Sequence, residues 1–221
     1  MGKSNTKLAI FDTFKTKGSG LTGEANRQRA IITILASNIN SVEKTRTGIS
    51  QKIAKKHGVA WKNIYSGIFR DLDEVLIPMK IAEEQGRLPM KRGPKALQEL
   101  GIPYYQLTKK GLLIALAISE EKDGKELLKQ FFSMSESSEK EFEKNLTKLL
   151  QTSPNFTYSI FQKYVMAYCN NKFKELLPFD LSKLKGISDE SLIIQKEVIT
   201  AFVKFSKRDK DNVIKFLDKI T

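Results

Sequence analysis

One cysteine, one histidine and one tryptophan stand among 221 residues. The lone Cys169 excludes an internal disulfide and any zinc site built from several thiolates. It lies in the aromatic run YVMAYC, where a buried, unreactive thiol is expected. A single His57 and a single Cys169 leave no Ser-His or Cys-His rhythm for nucleophilic chemistry. His57 falls at the end of a predicted helix, where an imidazole complements the dipole rather than serving as catalyst or metal ligand. Asp71-Leu72-Asp73-Glu74 has the residue types of a magnesium site. On a helix, however, 71 and 74 share a side while 73 points away, and no second acidic cluster in this half completes a two-metal site. It reads as a solvated helix flank. No enzymatic activity, metal or cofactor is expected.

Long apolar runs are missing as well. Nothing approaches the roughly 18 residues a membrane span needs, and GLLIALAI (111–118) reads as a short core helix. No secretory signal is present, so the expected location is cytoplasmic and the sequons at Asn145 and Asn155 are chance matches. Met1-Gly2 with Thr6 fits the myristoylation pattern only loosely. Gly2-Lys3-Ser4 lacks the upstream glycine and strand of a phosphate-binding loop.

What the chain has is positive charge: 38 Lys and Arg against 25 Asp and Glu, a net of +13. Residues 1–120 hold 20 basic and 10 acidic residues, whereas 121–221 hold 18 and 15. The excess therefore sits in the first half, which favours a localised anion-binding surface over uniform solubilising charge. The hydrophobic fraction of 40% and 13 Phe are ordinary for a folded protein, so disorder is excluded.

Residues 1–23 read as a flexible basic arm. An amphipathic helix is predicted over 24–37, with apolar residues at 30, 31, 34 and 35. A polar connection follows, and then a helix over 51–57, capped by Ser50 and ended by His57-Gly58. Ile64, Ile68, Leu72 and Val75 place a third helix at 61–76, stopped by Pro78. RLPMK (87–91) and IPYYQLT (102–108) read as two short strands around a long tip, and Thr108 caps a helix to about Ser119.

Three helices, the second and third joined by a tight turn, then a basic two-stranded loop and a further helix: this order resembles a winged helix-turn-helix of prokaryotic and archaeal transcriptional regulators. The resemblance covers roughly residues 24–120. It rests on Ala54, Gly58 four residues on, Val59, and Ile64 six residues after Gly58, and on PYYQLTKKGLLIAL at the last strand and following helix. Gly67 departs from the pattern, where an aliphatic residue is usual, and so does the long tip. A glycine inside a helix costs about 1 kcal/mol relative to Ala, so close packing at Gly67 is expected.

The resemblance implies a DNA-binding protein whose third helix enters the major groove. Its outward face would carry Trp61, Lys62, Tyr65, Ser66, Phe69 and Arg70. Lys62 would meet guanine or phosphate, Ser66 either base type, Trp61 or Tyr65 a thymine methyl or phosphate, and Arg70 the backbone. Trp61, Tyr65 and Phe69 at helical spacing equally suit a packed core, and Phe69 fits packing beneath the wing as well as base contact. The second helix would bring Gln51, Lys52, Lys55 and Lys56 to phosphates, which fixes register. Arg87, Lys91, Arg92 and Lys95 would furnish the wing.

Residues 121–221 read as an all-helical region. Predicted helices include 155–177, opened by Ser153-Pro154 and ended by Pro178, and one capped by Ser188. The stripe Phe156, Ile160, Tyr164, Ala167 with Phe161 and Val165 suits either an internal bundle or pairing with a second copy. The expected fold class is mainly α: an N-terminal winged helix with a helical C-terminal region. The expected partners are double-stranded DNA and a second copy, with no membrane. A transcriptional regulator is the first reading; a winged-helix protein–protein adaptor and a plasmid-type replication or partition protein are the alternatives. No residue points to a small-molecule effector.

Overall fold

A computed structural model of the chain describes residues 7–15, 20–90, 95–119, 124–134, 140–180, 182–183 and 190–218. It divides into two compact units, one ending at Phe179 and the other beginning at Asp180. Among the described residues there are ten α-helices and one two-stranded antiparallel sheet. The mainly helical class is therefore as expected.

In the first unit Leu8, Ala9 and Ile10 pack into the core. The Ala9 N–H donates to the side-chain oxygen of Gln28 at 2.8 Å. Gln28 is itself fully buried, so this bond satisfies an amide that would otherwise be stranded. Thr13 and Leu21 form an antiparallel bridge. The expectation of a flexible arm over 1–23 is overturned for these residues: three apolar side chains in a row outweigh the basic composition around them. Residues 1–6 and 16–19 lie outside the described residues.

Helix α1 spans Gly23–Ala36 behind the Thr22 cap, whose hydroxyl accepts from the Ala25 N–H. Ile31, Ile32, Ile34 and Leu35 are buried, close to the predicted stripe. Helices α2 (Arg46–His57) and α3 (Trp61–Arg70) follow, and α3 continues through Asp71–Leu76 in π-helical turns. Strands β1 (Ala82–Leu88) and β2 (Ile102–Leu107) pair antiparallel. The first strand thus begins five residues before the predicted 87–91. Gly86 lies in β1 at a bulge opposite Tyr104, where a Cβ would come 2.9 Å from the Tyr104 hydroxyl. The tip between the strands holds a short helix, α4 (Lys95–Leu100).

Helix α5 (Lys109–Ile118) is the centre of this unit. Every residue from Gly111 to Ile118 is buried, the pattern of a helix enclosed on all sides. Thr108 caps it as predicted, accepting from the Gly111 N–H at 3.2 Å. A Cβ on Gly111 would sit 2.1 Å from the Ile81 carbonyl oxygen, so only glycine allows this approach. α5 touches α1 and β2 on one side and α6 (Gly124–Ser133) and α8 (Pro154–Cys169) on the other; α7 (Lys140–Thr152) packs on α6 and α8. The apolar stripe of α8, with Ile160, Phe161, Tyr164 and Val165 buried, is consumed in this packing. Phe179 closes it, with Phe161 stacked at 5.6 Å and Tyr164 edge-on at 4.9 Å.

The break in packing therefore falls after Phe179 rather than at the boundary of 120 read from the sequence, because α6–α8 complete the core around α5. α8 also ends earlier than Pro178. Asn170 caps it, and Asn171 adopts the left-handed conformation at φ 57°, which Asn tolerates better than most residues.

The second unit contains α9 (Glu190–Lys204) and α10 (Lys207–Leu217), the latter capped by Ser206. The predicted cap Ser188 lies outside the described residues.

Candidate nucleic-acid interface

The start of α2 is set by Thr45, not Ser50. The Thr45 hydroxyl accepts from the Gly48 N–H at 3.1 Å. A Cβ on Gly48 would lie 2.3 Å from the Val42 carbonyl oxygen, so the capping turn closes only with glycine. Ser50 is fully buried, its hydroxyl donating back to the Arg46 carbonyl at 2.8 Å. Ile49, Ile53 and Ala54 face the core. At the other end Gly58 takes φ 64°, and the Val59 N–H returns to the Ala54 carbonyl at 3.1 Å. This left-handed cap ends one helix and lets the next begin three residues later.

The inner face of α3 and its π-helical continuation is the predicted one: Ile68 and Leu72 are fully buried, Val75 is buried, and Ile64 is half-buried. Lys62, Ser66, Phe69 and Arg70 are exposed, at spacings that place them on one face. Trp61 and Tyr65 are half-buried and meet edge to face with centroids 5.7 Å apart. They flank the exposed strip rather than standing on it.

On α2, Gln51, Lys55 and Lys56 are exposed. Lys52 is not free: its ammonium donates to Glu43 at 2.8 Å. From Lys44 to Arg70 there are seven Lys or Arg and no Asp or Glu. Two of the seven, Arg46 and Lys52, have carboxylate partners; Lys55, Lys56, Lys62 and Arg70 are left facing solvent. That leaves a surface of one sign around the α2–α3 turn.

The hairpin is less basic than the sequence suggested. Arg87 is held by Glu84 through two hydrogen bonds of 2.6 and 3.0 Å, which hold its guanidinium above the usual arginine range. Glu83 and Glu84 are both exposed on β1. Lys95 is exposed on α4. Lys91 and Arg92 lie outside the described residues.

Three features were missed from sequence. Lys44 and Thr45 form a short extended segment beside β2: Thr45 bridges Tyr104, and the Tyr105 N–H donates to the Lys44 carbonyl at 3.2 Å. Arg46 then lies over two rings, 4.8 Å from the centre of Phe69 and 5.4 Å from that of Tyr105. Its Nη2 donates to Asp73 Oδ1 at 2.6 Å. Asp71 is fully buried and bonded to Arg27 at 2.8 Å. The reading of Asp71–Glu74 as a solvated flank is therefore overturned: two of its three carboxylates hold arginines, and only Glu74 is exposed. Among these signals, Arg46 could have been found by asking why a cation opens a capped helix, where the helix dipole disfavours it. Arg27 could not, because its partner lies 44 residues away.

Elsewhere, Cys169 is half-buried and burial pushes its thiol up to about 12. Among the described residues no group of three His, Cys, Asp or Glu converges as a metal site would require. No described helix is long and apolar enough to cross a membrane. No family model, curated protein or solved structure matches this chain.

Proposed function

We propose that the chain binds double-stranded DNA, laying the Lys62–Ser66–Phe69–Arg70 face of α3 in the major groove while Lys55 and Lys56 of α2 rest on phosphates. The observation that carries this reading is the surface of one sign around the α2–α3 turn, with no acidic residue between 44 and 70. The Thr45–Tyr104 bridge supports a winged-helix reading of the whole arrangement, since it joins the segment before α2 to the outer edge of the hairpin. Lys62 and Ser66 are of lengths suited to base edges. Arg70, two turns along, suits a phosphate. A transcriptional regulator in the cytoplasm is the role that fits such a module best; a replication or partition protein would use the same chemistry. Arg87 and Lys52, already neutralised by carboxylates, are left out of the proposed contacts.

The exposed Phe69 and Val59 favour one other reading, a face that docks protein. Fluorescence anisotropy with duplex DNA across a salt series separates the two. A DNA binder loses affinity steeply as salt rises, and each phosphate contact removed flattens the log–log slope by about one. Lys55→Ala and Lys56→Ala are expected to do that for every duplex alike. Lys62→Ala is expected to erase preference among sequences. Weak binding that none of the three changes would overturn the DNA reading and leave the Val59–Phe69 surface for a protein partner.

A further inference from the structure

A cleft of about 470 Å³ opens in the first unit where three segments meet: Lys7 and Leu8, Met79 in the turn after the π-helical end of α3, and the carboxyl end of α8. Its volume falls in the roughly 300–1,000 Å³ range of small-molecule sites. The end of α8 shapes one wall. Asn171, in the left-handed conformation, donates its N–H to the Tyr168 carbonyl at 2.9 Å. The chain thereby folds back, and Phe173 packs on Tyr168 with ring centroids 6.2 Å apart. Both rings line the cleft, together with Leu8 and Met79.

Positive charge gathers around this apolar lining. Lys7 and Lys174 stand at the rim, both exposed. Lys110 of α5 is half-buried behind Tyr168, its ammonium donating to the Tyr168 hydroxyl at 2.8 Å. Asp12 holds Lys7 at 3.1 Å, but Lys110 and Lys174 have no carboxylate within ion-pair reach among the described residues. A half-buried ammonium whose partner is a neutral hydroxyl has lost hydration without gaining a counter-charge. The Tyr168 oxygen accepts from Lys110, so its own proton remains to be donated into the cleft. We infer that the cleft binds a small aromatic carboxylate, its ring on Leu8, Met79 and Phe173 and its charged head on the Tyr168 hydroxyl, with Lys110 behind that hydroxyl and Lys174 at the rim.

The other ligand classes fit less well. Inorganic phosphate would satisfy the cations and leave the apolar walls in water. A neutral ring would cover the walls and leave Lys110 without a counter-charge. A metal ion would meet three ammonium groups and a single carboxylate that is already paired. An aromatic carboxylate answers both halves of the site, since a few convergent polar groups on an apolar wall are what orient a small molecule. A hydrogen bond to a charged partner is also stronger than one between neutral groups. The inference is independent of DNA binding.

Methyl NMR of the full chain, labelled at its five methionines, tests it with naphthoate as the probe. The Met79 methyl, identified through Met79→Leu, is expected to shift saturably with a Kd below about 1 mM. Inorganic phosphate and the neutral naphthyl methanol are expected to bind at least about tenfold more weakly. Tyr168→Phe keeps the ring and loses the donor, and Lys174→Ala removes an exposed cation; each is expected to weaken naphthoate about tenfold. Lys110→Met, which keeps the stem, should do the same through Tyr168. Methyl spectra of the unliganded variants that match the wild type show that the fold is kept. A Met79 methyl unmoved at about 5 mM naphthoate would overturn the proposal. So would equal binding of the neutral alcohol, or wild-type affinity in both Tyr168→Phe and Lys174→Ala.

Discussion

Arg27 on α1 reaches across α3 to Asp71, its Nε donating to Oδ2 at 2.8 Å. Asp71 is fully buried, and the guanidinium gets there by lying over Gly67, where a Cβ would sit 3.0 Å from Nε. The glycine that departs from the helix-turn-helix pattern thus has a local cause: the face of α3 has to be bare for the arginine to pass. The pair sits at the point where α3 changes from α-helical to π-helical turns.

Removing Arg27 should cost more than neutralising its partner. Arg27→Ala leaves the buried Asp71 carboxylate uncompensated, and breaking a buried pair in this way costs about 3 kcal/mol or more. Asp71→Asn keeps the shape and hydrogen-bond capacity, and Arg27, a quarter exposed, can turn toward water. Its cost should be about half as large. Urea unfolding of both variants checks the order. Equal losses would mean that the pair is no more than a surface contact.

Gly67→Ala tests the same relationship from the other side. Alanine in a helix interior is favoured over glycine by about 1 kcal/mol, but here its Cβ must displace Arg27. In the wild-type background the substitution should therefore yield no gain, or a slight loss. Combined with Arg27→Ala it should stabilise by about 1 kcal/mol relative to Arg27→Ala alone, a non-additivity that a double-mutant cycle measures directly. Additive effects would show that Gly67 has nothing to do with Arg27.

These contacts mark what could and could not be read from sequence. The stripes of α1 and α3 were legible because burial follows the 3.6-residue period, α5 because an unbroken apolar run marks an enclosed helix, and Gly58 and Thr108 because a cap is satisfied within three or four residues. Thr45 was not told apart from Ser50, since both carry a capping hydroxyl and the choice rests on Gly48 fitting against the Val42 carbonyl. β1, AEEQGRL, has no alternation to announce it and depends on pairing with β2. Leu8–Ile10 is too short for any period. Of the site, the exposed Lys55, Lys56, Lys62, Ser66 and Arg70 followed from helix geometry. The pairings that withdraw Lys52 and Arg87 depend on side chains whose reach no period records.

Alkaline pH should unfold the protein through the buried Tyr105 and the half-buried Cys169. Burial raises the Tyr105 phenol from its ordinary value near 10 to about 12, and the Cys169 thiol from about 9 to about 12. A raised value in the fold means that the folded chain prefers the neutral form. Their contribution is complete below pH 9 and is lost as pH rises through 12, each tenfold change in proton affinity being worth about 1.4 kcal/mol. Unfolding midpoints should fall over that window, and Tyr105→Phe with Cys169→Ala should flatten the fall. At pH 8 the thiol should react with alkylating reagents about 10–100-fold more slowly than free cysteine, since its scarcer thiolate is also the more nucleophilic one. Rapid labelling of the folded chain would show that Cys169 is open to solvent.

Arg46 links the stability of the module to what its third helix presents. Its guanidinium lies 4.8 Å from the Phe69 ring and bonds Asp73, so one side chain spans the start of α2, the exposed aromatic of α3 and the π-helical turn behind it. A lysine keeps the charge but has neither the planar stacking surface nor the fork. Arg46→Lys should therefore lower stability by about 1–2 kcal/mol and leave Phe69 free to rotate. If α3 reads DNA, that freedom should reduce discrimination between duplexes of different sequence by about tenfold while leaving the salt dependence as it was, because Arg46 is already partnered and touches no phosphate. Lys56→Ala should do the reverse. A flatter salt slope for an arginine truncated to Arg46→Ala would mean that Arg46 itself leaves Asp73 to meet the DNA backbone, and that the ring it covers is not held for reading.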